Sequence, residues 1–161
     1  MEKVADWIES GKTRANYAQV DRLSHPDAQQ ALRFWQERPV DGILMGRDIP
    51  SRSIARLLSR IVIYEPVDGG ADFKVHLAGA SIRHRFGRDI SGESIALLFT
   101  AGDLPLRRDA LNGVLMLNEP RMACIVHSVG KVEILKIELL QVPVTAPNGR
   151  DRWVLTFVFY F

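Results

Sequence analysis

A chain of 161 residues, 47% apolar and 25% charged, can build one domain with its own core, and no apolar run in it approaches a membrane span. Its formal charge of +2, with acidic residues mixed among the basic ones, excludes the strongly basic footprint of a nucleic-acid-binding protein. The single cysteine, Cys124, excludes an internal disulfide and a multi-cysteine metal site, and residues 1–20 lack the apolar centre of a secretion signal, so the chain is expected in the cytoplasm.

Helices come first. Residues 2–10 set Val4, Trp7 and Ile8 at helical spacing ahead of Gly11. One stripe of that length does not hold a helix in water, so Val4, Trp7 and Ile8 are the candidate dimer contact, docking on their own domain or on a second copy. Residues 12–23 are polar apart from Tyr17, Val20 and Leu23 and read as a linker. The chain thus divides into an N-terminal helix and linker, 1–23, and a single domain, 24–161. Ser24 reads as an N-cap with Pro26 and Asp27 in the first turn, and Ala28, Ala31, Leu32 and Trp35 form the stripe of a helix ending near Pro39. After a glycine-containing loop over 40–47, Pro50 opens a second helix striped by Ile54, Leu57, Leu58 and Ile61.

Residues 61–65 turn β-branched and form a strand, and Pro66 with Asp68-Gly69-Gly70 turns the chain into a hairpin partner over 72–78, where Phe73, Val75 and Leu77 alternate with Lys74 and His76. Residues 81–86 make a short helix closed by Gly87, and the turn Gly87-Arg88-Asp89-Ile90-Ser91-Gly92 is expected to lie as a lid across one sheet face. Residues 93–99 are short and apolar. Asp103 can cap a longer helix carrying Leu104, Leu111, Val114 and Leu115, which Asn118-Glu119-Pro120 ends. Three strands close the chain over 121–129, 132–142 and 152–161. The last is apolar on both faces, with Trp153, Leu155, Phe157 and Phe159 opposing Val154, Val158 and Tyr160, and therefore belongs inside a sheet covered on both sides. The predicted fold is α+β: a five-stranded antiparallel sheet of order 2-1-5-4-3, helices over one face, and an N-terminal helical extension.

This arrangement resembles a PAS domain, and more narrowly the short PAS-like proteins of alphaproteobacteria. The residues that carry the likeness are Leu32-Arg33-Phe34-Trp35 running to Arg38, Arg47-Asp48-Ile49-Pro50, Leu77-Ala78-Gly79-Ala80, and the turn from Gly87 to Gly92. The likeness covers 29–99 well and the three closing strands as pattern. Two departures are an L-to-R spacing shorter by one and D-I-P where the family writes D-P, which moves the helix start and leaves its stripe intact. The resemblance implies a sensory or interaction module in signal transduction. Such a module holds a small molecule, or nothing, between sheet and helical cover, and signals to a protein partner through dimer contacts of an N-terminal helix and the outer sheet face. Haem is disfavoured because 103–117 carries no histidine, and flavin because the short helix before it carries no cysteine. The chain closes on a strand, so no output domain is expected of it.

His25, His76, His84 and His127 are scattered, with no H-E-x-x-H, C-x-x-C, G-x-S-x-G or phosphate-binding glycine loop, so no catalytic or metal residue is assigned. His76 and His127, each on a strand, read as solvated or locally hydrogen-bonded. Arg83 and His84, with Arg85 and Phe86 beside them, are candidates for meeting an anionic group of a bound molecule, against the plainer reading of an exposed amphipathic turn. Leu98, Leu111, Leu115 and Phe157 would line any pocket, or simply fill the core. Three readings stay open: a binding module without its own output domain, a small α+β enzyme with Arg83, His84 and Asp89 in a cleft acting on an anionic small molecule, and a structural interaction domain with a filled core.

Overall fold

The computed structural model describes residues 14–161; the helix expected over 2–10, and with it Val4, Trp7 and Ile8, lies outside the described residues. Six strands form one antiparallel sheet: β1 (Arg14–Val20), β2 (Ile61–Val67), β3 (Asp72–Ala78), β4 (Arg121–Val129), β5 (Val132–Thr145) and β6 (Arg152–Tyr160). Their order is β1-β4-β5-β6-β2-β3: the five expected strands follow one another as expected, and a sixth at one edge corrects the count of five. The added strand is β1, at the edge beside β4, where a linker was expected. It has a single neighbour, Tyr17 opposite Ile125, so a short stretch with Ala15 and Tyr17 half-buried and Asn16 and Ala18 exposed is enough to hold it.

β6 occupies the middle, paired with β5 along its length and with β2 from Ile61 to Tyr64. Val154 to Phe159 are all buried. Pro66 is tolerated in β2 because pairing with β6 has ended before it, leaving that stretch with one neighbour.

The helical cover corrects the expectation of one covered face. Alternation along β6 sends Leu155, Phe157 and Phe159 to one side, where they meet Ala28, Ala31 and Trp35 of α1 (Ala28–Gln36) and Ile54 and Leu57 of a 3₁₀ helix, Arg52–Arg60. Val154 and Val158 point to the other side, against Ile82 of α2 (Ala80–Phe86), Ile95 of the 3₁₀ turn Ile95–Leu97, and Leu111 and Val114 of α3 (Leu104–Leu117). The two stripes read as one cover thus sit on opposite faces, and α1 with the 3₁₀ helix covers the face of β6 that carries Leu155, Phe157 and Phe159.

Ser24 does not cap α1. Asp27 stands at the N-cap position without a side-chain cap bond, and its carboxylate pairs with Arg60 at 2.5 Å. Ser24 instead donates its backbone N–H at 2.9 Å, and His25 its own at 2.6 Å, to the carboxylate of Glu138, a β5 residue only 3% exposed. That carboxylate ties the chain ahead of α1 to the sheet. Glu138→Ala strands two backbone donors, and is expected to cost about 2 kcal/mol in urea unfolding, with Glu138→Gln costing less because it keeps an acceptor oxygen. Among the described residues no helix is long and apolar enough to cross a membrane.

Candidate functional site

The turn from Gly87 to Gly92 is fastened to the free edge of β3. Gly92 donates its N–H to the Val75 carbonyl at 2.7 Å, Val75 donates its own to Glu93 at 3.0 Å, and the Ser94 hydroxyl reaches Asp72 at 2.7 Å. Gly87 and Gly92 take left-handed φ values of 72° and 83°, which a side chain would strain. The Asp89 carboxylate is consumed locally, accepting from the backbone N–H of Ser91 at 3.0 Å and its hydroxyl at 2.8 Å; these bonds hold it below the usual carboxylate range. The lid is therefore a sealed edge that drives Ile90 inward, leaving space behind it.

That space is a cavity of about 240 Å³ between the sheet and the α2–α3 cover. Its floor is Val62 and Tyr64 of β2, Ile125 and His127 of β4, Leu135, Ile137 and Leu139 of β5, and Val158 and Tyr160 of β6; its roof is Ile82, Arg85 and Phe86 of α2, Ile90, Leu98 and Phe99, and Asp103 and Arg107 at the start of α3. A second depression, beside Phe34, Arg38 and Arg47 on the α1 side, is more open and polar.

The cavity is apolar with a few polar groups aimed into it. Arg85 lies over the Tyr160 ring at 3.8 Å and Arg107 over the Phe99 ring at 4.0 Å, both guanidiniums held by aromatic faces. Burial pushes the Tyr160 phenol up to about 12 and raises that of Tyr64, which the Arg107 guanidinium pulls partly back, so both stay protonated donors. Arg88, also at the wall, is ion-paired to Glu93 at 3.0 Å. His127 is 8% exposed, and its Nδ1 is buried with no hydrogen-bond partner among the described residues.

Burial also holds the His127 imidazole below its ordinary value, with the Asp103 carboxylate opposing the drop and Arg107 adding to it. The unfolded chain takes up that proton near pH 6.5 and the folded protein only at lower pH, so this group favours the native state less as pH falls below about 6.5. His127→Leu removes the proton uptake. Its stability loss between about pH 7.5 and about pH 5.5, from urea unfolding, is expected to be smaller than that of the wild type; equal losses would contradict the burial.

Of the residues expected at a ligand site, Phe86 and Leu98 line the cavity. Leu111 is buried in the core layer around it, and Leu115 is partly buried against the same layer. Phe157 lies on the far face of the sheet, packed edge-on against Phe34, because it is one residue out of step with Val158. Arg83, His84 and Arg85 are all exposed, and of the three it is Arg85 that borders the cavity. Arg83, His84 and Asp89 do not converge on the cavity. His127 and Arg107 were passed over. His127 shares the inward register of Ala123 and Ile125, but Cys124 and Val126 on the other parity hid which face was inward. Asp103, read as a cap, makes no side-chain cap bond. The half-buried Cys124 thiol is pushed up by burial and stays protonated. No group of three or more His, Cys, Asp or Glu among the described residues could hold a metal ion.

A family model described as PAS domain matches residues 23–158. None of the curated proteins and none of the solved structures gives a match. The matched stretch starts at Leu23, ahead of α1, and runs into β6, taking in both helical layers, the sealed turn and the cavity between them, and on that extent the chain belongs to the PAS domain family.

Proposed function

We propose that this protein is a sensory or regulatory module that holds a small, largely apolar molecule between the sheet and α2–α3 and passes its presence to a protein partner. The observation that carries the reading is the cavity itself: apolar walls on both sides, with the His127 imidazole and the Arg107 guanidinium among the few polar groups that line it. The size favours a small occupant. At about 30 Å³ per water-sized group, 240 Å³ takes about eight non-hydrogen atoms, well short of a tetrapyrrole or a flavin ring system. A lone thiol with no disulfide suits a reducing compartment such as the cytoplasm.

Native mass spectrometry of protein purified without refolding tests this. The expected result is a species heavier than the 18.1 kDa chain, which loses one small organic molecule on denaturation. Bare chain alone, together with no organic compound raising its melting temperature, would contradict the reading.

The route to a partner is proposed to run through a homodimer held by Val4, Trp7 and Ile8. Light scattering on the full chain is expected to give twice the monomer mass, and Trp7→Asp with Ile8→Asp to halve it; an unchanged dimer would exclude these contacts.

A further inference from the structure

We infer that the cavity takes a small monocarboxylate, with an aliphatic or aromatic body among the apolar walls and its carboxylate between Arg107 and His127. The inference rests on the ligand-holding reading above and specifies the chemistry of the occupant. Three features of the site lead there.

The first is charge. Arg85, Arg88 and Arg107 reach the cavity against one acid, Asp103. Arg88 is engaged with Glu93. Neither Arg85 nor Arg107 has an ion pair with any described carboxylate, Asp103 included; each rests on an aromatic ring. A guanidinium at the wall of an apolar cavity, without an ion-paired carboxylate, favours an anionic occupant.

The second is the buried imidazole. His127 is more than nine-tenths buried and its ring lines the cavity. A neutral imidazole carries one N–H, and a carboxylate has two acceptor oxygens, one for Arg107 and one for His127. The Tyr64 hydroxyl, close enough to Arg107 for its ionisation to feel that charge, adds a further donor.

The third is size and polarity. The remaining walls, Val62, Ile125, Leu139, Val158 and Leu98 among them, offer no hydrogen bonds, and the volume admits about eight non-hydrogen atoms. A polar metabolite would leave its other groups unpaired against hydrocarbon. A single carboxylate on an apolar body meets all three conditions.

The test is calorimetric titration of the full chain with hexanoate and phenylacetate, against hexan-1-ol and 2-phenylethanol as uncharged counterparts. Each acid is expected to bind roughly tenfold or more tighter than its alcohol. Arg107→Gln should remove that advantage, and Arg107→Lys should retain part of it. The His127 side-chain nitrogen signals should shift on adding hexanoate and stay put with hexan-1-ol. Acid and alcohol binding equally would overturn the carboxylate assignment while leaving the cavity reading intact. Binding by none of the four probes would overturn both. The comparison of acid with alcohol in the wild type needs no variant, so it stands even where a substitution at Arg107 fails to fold.

Discussion

Gly79→Ala is expected to destabilise the protein by about 3 kcal/mol, a fall in Tm of roughly 6–12 °C, despite adding a single methyl group. Gly79 joins β3 to α2, and its own φ of −68° is one any residue adopts, so backbone freedom is not the reason. The reason is proximity. A Cβ there would lie 2.5 Å from the backbone carbonyl carbon and oxygen of Ser59, in the 3₁₀ helix on the other side of the junction. Neither side can yield easily. Gly79 donates its N–H to the Ile61 carbonyl at 2.8 Å, so the junction is pinned to the start of β2, and Ser59 is held two residues ahead of Ile61 in the same chain. The 3₁₀ helix and α2 meet at this junction, so a methyl group there forces them apart. Gly102, with no heavy atom within 4 Å of an added Cβ and no left-handed φ, is the control: Gly102→Ala is expected to change stability by less than about 0.5 kcal/mol. Urea unfolding of the two variants side by side checks the contrast, and equal stabilities would contradict it.

Phe157→Ala is expected to cost about 3–5 kcal/mol, or roughly 6–20 °C in Tm, and to leave ligand binding in the cavity unchanged. Phe157 is fully buried in the central strand, stacked beside Phe159 at 6.4 Å and edge-on to Phe34 at 6.3 Å, and truncation leaves a void between the sheet and α1. The next residue reverses the outcome. Val158 faces the cavity, so Val158→Phe is expected to fill it, abolishing binding at a smaller cost in stability, since the added ring enters open space. Loss of binding in Phe157→Ala, at a temperature where the variant remains folded, would contradict the assignment of the two residues to separate faces.

This pair of residues also marks the limit of what the sequence carried. The doubly apolar segment from Trp153 to Tyr160 identifies a central strand, because only a strand with neighbours and covers on both sides can bury such a run. The same property conceals which parity meets which helix, so Phe157 was grouped with Leu98, Leu111 and Leu115 although it points away from them. β1 was hidden for the opposite reason: an edge strand with one neighbour needs too few apolar residues to stand out from a polar linker. On α2 a usable signal existed. Ile82, Arg85 and Phe86 are spaced i, i+3 and i+4, and therefore share a face, which places Arg85 and not Arg83 or His84 over the cavity once Ile82 is known to be buried. Arg107 follows the same logic from Leu111, four residues on and buried, whereas the partner of Glu138 was beyond reach because Ser24 lies more than a hundred positions away and its hydroxyl fits a helix cap equally well.

The claim on which the functional reading depends is that the space between the sheet and α2–α3 is open to a small molecule. Diffraction from crystals of the natively purified protein under xenon pressure tests it directly, since an apolar cavity of this size admits xenon unless something already occupies it. Density for xenon or for a resident organic molecule, bounded by Ile125, Leu139, Val158 and Leu98, is the predicted result. Side chains of Phe99 and Arg107 folded down onto Tyr64 and His127, with no non-protein density between them, would contradict it.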